Sequence, residues 1–354
     1  MKIDAFTHIF PKAYWERMLR VLPDGRDMHK RVRAIPSIVE LDARFRIMDQ
    51  FGDDYRQALT LGSPPIEIFG ETKVTKEMAK IANDGMAELV ARYPDRFVGF
   101  AASLPMNDSD AACAEVARAI DQLGAIGVQV FTNINGRPLY RPDTLPLFDL
   151  VARYDLPMWM HPARGADFAD YVGEEKSHYE VWWTLGWPYE TSVAMAHMVF
   201  GGLFDRHPDF KLITHHMGGM IPYFEGRVGP GWDQLGKRTS DEDYAPLLES
   251  MKSKGKRPID YFKLFYADTA LFGAHEATKC GLRFFGVERT LFASDAPFDP
   301  EGGRAYIRDT IEIMERLELS PAERRAIYAG NLTRLCRLDQ RERTWKALPS
   351  TLAA

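Results

Sequence analysis

The first candidates for chemistry are two adjacent histidines in the segment KLITHHMGGMIPYFEGR, residues 211–227. Leu212 and Ile213 read as a short buried strand, His215 and His216 stand at its end, and a Gly-Gly turn leads into a helix-forming stretch. A single strand end of this kind is explained as readily by packing and solvation as by function. Three further strand ends, however, carry His8, His161 and Asp295. Imidazole and carboxylate groups together suit zinc, iron or manganese, and a catalytic ion keeps one position open for water or substrate.

Residues so far apart in sequence can share an ion only if the fold gathers the ends of their strands, and the chain has the pattern to do so. Short apolar runs at residues 2–6, 57–61, 97–101, 127–131, 157–161, 212–213, 262–266 and 290–293 alternate with helical periodicity. Helices are expected over 75–93, with Thr75 as N-cap, then around 113–123, 145–154 and 190–207. A closing helix opens at Ser320-Pro321-Ala322-Glu323, a capping box with proline in the first turn. Eight strands alternating with helices predict an α/β fold, the (β/α)8 TIM barrel; a doubly wound open sheet is the second topology. In the barrel, His8, His161, His216 and Asp295 follow the first, fifth, sixth and eighth strands. They therefore surround one axis at the C-terminal face, where the βα loops build active sites.

Two stretches exceed ordinary connections: residues 12–50 after the first strand and 164–188 after the fifth. Both are expected as lid or loop insertions in one domain spanning residues 1–354. Trp182, Trp183 and Trp187 in the second insertion either line an apolar pocket or pack the loop down.

Composition narrows the function. Of 354 residues, 45% are hydrophobic and 27% charged, enough to build a core and too apolar for a disordered chain. The net charge of -5 argues against nucleic acid as a partner. No apolar run reaches membrane-spanning length, and the N-terminus lacks a signal-peptide h-region, so a cytoplasmic protein without a membrane span is expected. Cys113, Cys280 and Cys336 form no CxxC pair, which fits free thiols in a reducing compartment.

The motifs MKIDAFTHIFP, MWMHP, HHMGGMIPYFEGR, FYADTALFG, LFASDAPF and IYAGN, in this order along nearly the whole chain, resemble the amidohydrolase superfamily. Within it they are similar to the group of aminocarboxymuconate semialdehyde, dihydroxybenzoate and resorcylate decarboxylases. The resemblance implies a divalent metal ion, zinc first, with manganese or iron and a second ion as alternatives. His8, His161 and Asp295 are its implied ligands, and His216 is implied beside the substrate as acid or base and as a fourth group at the ion. It also implies a homodimer.

One position departs from the family pattern. Phe6 stands where the first-strand pair has its first histidine or glutamate, and a phenyl ring cannot coordinate a metal. His215, His178, Glu174, Glu175, Glu180 and Glu190 are candidate replacements, each otherwise a surface or capping group. Alternation along a strand turns neighbouring side chains to opposite faces, which favours His216 over His215 as the inward one. Arg164, and secondarily Arg227, could clamp an anionic group.

The expected activity is decarboxylation of a small aromatic or unsaturated carboxylic acid, with His216, Asp295 and Arg164 as the catalytic groups. Three alternatives stay open: hydrolysis of a C–N or C–O bond, oxygenation at a mono- or dinuclear iron or manganese site, and a non-catalytic partner of an active paralogue in a hetero-oligomer.

Overall fold

The computed structural model of the chain describes residues 1–25, 27–239 and 241–340. Eight strands form one sheet in sequential order: β1 (Lys2–Ile9), β2 (Tyr55–Leu61), β3 (Phe97–Ser103), β4 (Gly127–Phe131), β5 (Met158–His161), β6 (Leu212–Thr214), β7 (Tyr266–Asp268) and β8 (Thr290–Leu291). All seven neighbouring pairs are parallel. Backbone bonds from Ala5 to Phe292 (2.8 Å), His8 to Ala296 (2.8 Å) and Asp295 to Phe6 (3.2 Å) join the segment after β8 back to β1. The fold is the TIM barrel that the alternating pattern predicts.

Parallel strands covered on both faces need apolar side chains in both directions. Seven of the eight residues of β1 are accordingly buried. Inside the ring, Ile3, Phe6, Trp159, Ile213 and Leu291 fill the lower part, and Trp159 donates its indole N–H to the Ala5 carbonyl at 2.9 Å. Burying each such side chain stabilises the fold by about 1.5–3 kcal/mol. That plug closes the interior below the level of the strand-end histidines.

Several boundaries move. Of the run 262–266 expected as the seventh strand, Phe262 instead ends a short helix (Pro258–Phe262), begun by proline with the Asp260 carboxylate accepting from the Arg257 backbone N–H, and the strand starts at Tyr266. The helix expected from Thr75 begins at Thr72, and Thr75 is buried inside it with its hydroxyl on Asn107. The helix expected over 190–207 runs over Gly186–Phe200 and resumes at Leu203–Arg206 after a Gly-Gly break. Ser320 and Glu323 make the expected capping box.

Residues 12–50 fold into helices Lys12–Val21, Met28–Arg33 and Leu41–Met48. The first two pack with Trp182 and Trp187 of the second insertion into an apolar cluster separate from the barrel core. This cluster covers the barrel mouth. Among the described residues, no helix is long and apolar enough to cross a membrane.

Candidate metal centre

Strand register brings the reactive residues to one level. Met160 pairs with Thr214 across β5 and β6, and Thr214 with Ala267 across β6 and β7, so the next residues are His161, His215 and Asp268. On the other side, His8, the last residue but one of β1, stands opposite Thr60 of β2. Donor atoms of His8, His161, His215 and Asp295 all lie within 4.8 Å of one another, and all four residues are buried.

Each imidazole is held by its outer nitrogen. His8 Nδ1 donates to the Leu61 carbonyl at 3.2 Å and His161 Nδ1 to the Pro162 carbonyl at 2.7 Å, while His215 Nδ1 meets Asp268 Oδ2 at 2.6 Å. Carbonyls and carboxylates only accept, so each outer Nδ1 carries a proton, and Nε2 is the nitrogen turned to the centre, for a metal ion or for a second proton facing Asp295. His8 Nε2 and His215 Nε2 stand 2.9 and 3.2 Å from the same oxygen, Asp295 Oδ1. Metal-bound histidines are commonly oriented in this way, by an acceptor on the far ring nitrogen.

Electrostatics suit a cation. Burial pushes His161 well below the ordinary histidine value, with the charges of His8 and His215 adding to it. Burial also lowers His8, partly opposed by Asp295. Both are therefore neutral, the form that binds metal. Burial would likewise raise Asp295, yet three imidazoles, His215 foremost, hold it well below the usual carboxylate range. For His215 burial is outweighed by Asp268 and Asp295, which raise it to about 9. Two carboxylates thus draw positive charge to this pocket, and a divalent ion competes with the proton for the His215 nitrogen.

The alternation argument for the histidine pair fails here. β6 ends at Thr214, and His216 turns into the left-handed region at φ 52°. The next residue therefore does not simply point the opposite way. His215 occupies the cluster, and His216 stacks on it with ring centroids 3.8 Å apart. His216, expected among the groups at the ion, instead faces the cavity, its Nε2 3.6 Å from Asp295 Oδ2 and its buried Nδ1 without a hydrogen-bond partner. Asp295 itself sits at φ 66°, a strained conformation of the kind that collects at functional sites.

Phe6 packs flat on His215 at 4.0 Å, so the first-strand position supplies a wall rather than a ligand. The loop candidates do not replace it. None of Glu174, Glu175, His178, Glu180 and Glu190 belongs to the group of close donor atoms; Glu180 accepts from the Trp183 indole, the His178 backbone N–H reaches Asp170, and Glu190 pairs with Arg164.

Arg164, expected to act on substrate, is engaged by Glu190 at 3.1 Å. It lines a neighbouring cavity of about 470 Å³ rather than the one that contains His216 and Asp295. Arg227 is exposed on the helix Glu225–Trp232. The cavity over the cluster, about 230 Å³, is walled by Trp183, Trp187, Phe272 and Phe298 and reached by Arg31 and Tyr306. Sequence reasoning missed Asp268 as the partner of His215, although its place at the end of the seventh strand was a usable signal. It also missed Arg31, for which only its location in the first insertion gave a hint.

A profile of the amidohydrolase family, Amidohydro_2, matches residues 3–338. The chain belongs to the amidohydrolase family. Within this family it is 32% identical to the gamma-resorcylate decarboxylase of Polaromonas sp., over 84% of this chain and 88% of that one. It is 28% identical to the 2-amino-3-carboxymuconate-6-semialdehyde decarboxylase of Dictyostelium discoideum, over 96% of this chain and 92% of the relative. A solved structure of the dihydroxybenzoic acid decarboxylase from Polaromonas sp. JS666, with bound manganese and the inhibitor 2-nitroresorcinol, superposes with a TM-score of 0.74 at 27% identity. That match covers 96% of this amidohydrolase and 97% of the solved chain.

Proposed function

We infer that this amidohydrolase is a metal-dependent decarboxylase of a small aromatic or unsaturated carboxylic acid. The observation that carries the reading is the set of three imidazoles fixed through Nδ1 to Leu61, Pro162 and Asp268, gathered with Asp295 beneath a small ring-lined cavity. His8, His161, His215 and Asp295 would hold one ion, and manganese, found in the Polaromonas relative, is our choice over the zinc expected from sequence. A divalent ion there supplies Lewis-acid polarisation of the substrate's carboxylate or neighbouring oxygen.

The chain's own residues do the rest. Trp183, Trp187, Phe272 and Phe298 grip a planar ring and exclude water from it. When the carboxylate leaves as carbon dioxide, the electron pair left on carbon takes a proton from the His216/Asp295 pair, which recovers one from solvent. Burial, with His215 beside it, lowers the His216 pKa, so the neutral imidazole predominates and a proton taken up from solvent is readily passed on. Assembly as a homodimer and residence in the cytoplasm belong to the same proposal. Exposed Tyr171, Val172, Tyr179 and Tyr223 offer apolar surface for a second copy.

The test is carbon dioxide release from a panel of hydroxybenzoates, 2,6-dihydroxybenzoate included, by manganese-loaded protein under nitrogen. The expected result is oxygen-independent release that falls by at least about a hundredfold in His216→Asn, at the lower end of what a positioned acid or base contributes. Bound metal should be unchanged in that variant. A His216→Asn protein that turns over at the wild-type rate removes His216 from the mechanism. Metal-loaded protein that releases no carbon dioxide from any member of the panel, or only with oxygen, contradicts the decarboxylase reading.

A further inference from the structure

The cavity over the metal cluster has a second electrostatic pole. Arg31, on the helix Met28–Arg33 of the first insertion, reaches it from the side of the lid. Its guanidinium lies 4.9 Å from the Trp183 ring and 5.4 Å from the Phe298 ring, held over both faces by cation–π attraction. One of its nitrogens donates to the Phe298 carbonyl, and it also meets the Tyr306 hydroxyl. No carboxylate pairs with it among the described residues. Arg118 and Arg164, also half-buried, do have acidic partners.

An arginine fixed in position, part-buried and without a counter-anion at a ligand cavity is prepared to receive an anion. Two neutral oxygens, of Phe298 and Tyr306, occupy two of the five guanidinium donors, which leaves three, and the planar fork matches a carboxylate. Tyr306, which feels the charges of both Asp295 and Arg31, adds a hydroxyl between the two poles. The cavity, about 230 Å³, is smaller than the roughly 300–1,000 Å³ typical of drug-sized ligands, so both poles act on one compact molecule.

We propose that Arg31, with Tyr306, forms an anion subsite, and that the substrate is a one-ring or similarly small acid carrying two anionic groups. One group lies at the metal cluster and the other at Arg31. This rests on the decarboxylase reading for the first pole and adds the second. Arg31 acts here as a specificity residue, since the proton transfer belongs to His216 and Asp295.

The test is calorimetric binding of benzoate, isophthalate and terephthalate to the manganese-loaded protein, wild type and with Arg31→Gln or Arg31→Lys. In the wild type, at least one diacid is expected to bind about tenfold tighter than benzoate, the scale of one charge-assisted hydrogen-bonded pair. In Arg31→Gln the two affinities converge, and Arg31→Lys restores part of the difference. Because the ratio to benzoate is read within each protein, a general loosening of the lid does not imitate the result. Equal affinities in the wild type, or a preference unchanged in Arg31→Gln, overturn the subsite and leave the metal centre standing. Failure of benzoate to bind in a manganese-dependent way overturns the metal reading and this inference with it.

Discussion

Two aspartates are buried in the same barrel, joined through consecutive residues, and their surroundings drive them in opposite directions. Asp4, low on β1, accepts from the Tyr55 hydroxyl at 2.7 Å and from Ser294, whose backbone N–H stands at 2.9 Å. Burial dominates those bonds and raises its pKa to about 6. Asp295, the next residue after Ser294, is as enclosed, yet His215, His216 and His8 keep it ionised. Neutral hydroxyls and amides only partly offset the loss of water around a carboxylate, whereas imidazoles that can carry charge more than offset it. The lower site is a structural network. It continues through Gln57 to the buried Arg44, whose Nη1 donates to the His8 carbonyl at 2.7 Å. The upper site concentrates negative charge where a cation can enter.

That contrast is broken most sharply by removing each carboxylate in turn. Asp295→Asn is expected to lose bound metal and to lower carbon dioxide release at least about a thousandfold, because it removes a ligand and the partner of the proton-transfer residue together. Asp4→Asn is expected to keep full metal content by elemental analysis. Metal loss in both variants would dissolve the distinction between the two sites.

A gentler change sharpens the comparison at its upper pole. Asp268 is fully buried and acts through His215 Nδ1 at 2.6 Å. Asp268→Asn should weaken metal affinity about 10–100-fold, the usual cost of losing a partner that orients a ligating histidine, measured by chelator competition. An affinity unchanged within twofold would leave Asp268 a mere strand-end residue.

Another buried acid, in the turn after β2, behaves like Asp4. Glu67 follows β2 and is raised by burial from 4.5 to about 8. Its Oε1 and the nearby Tyr14 hydroxyl are both buried without partners. A raised carboxyl pKa means that its neutral form stabilises the fold, fully below about pH 4.5, and that this contribution is lost as pH rises through about 8. Glu67→Gln should therefore flatten the fall in melting temperature between pH 6 and 9 while leaving metal content alone. A fall of the same size in both proteins removes Glu67 as its cause.

Much of this was legible in the sequence, and the failures have physical causes. Strand-end histidines at residues 8 and 161 and the aspartate at 295 could be read because apolar runs of strand length end at them. The barrel followed from the alternation of those runs with helical periods. The choice between His215 and His216 was not legible, since it depends on where pairing stops and on a left-handed backbone at His216 that alternation cannot anticipate. Arg164 looked suitable because it lies three residues past His161, but Glu190 of the next helix holds it. Arg31 gave the opposite difficulty: beyond its place in the first insertion nothing near it in sequence hints at the cavity, and only packing of that insertion against Trp183 and Phe298 brings it there.

The claim beneath all of this is that His215, turned inward by Asp268, completes a metal site from which the first strand has withdrawn one ligand at Phe6. Elemental analysis of purified His215→Ala beside wild type tests it most directly. The account predicts about one equivalent of divalent metal per wild-type chain and less than about a tenth of that in the variant, with the fold retained by circular dichroism. A folded His215→Ala protein carrying the wild-type complement of metal would contradict it.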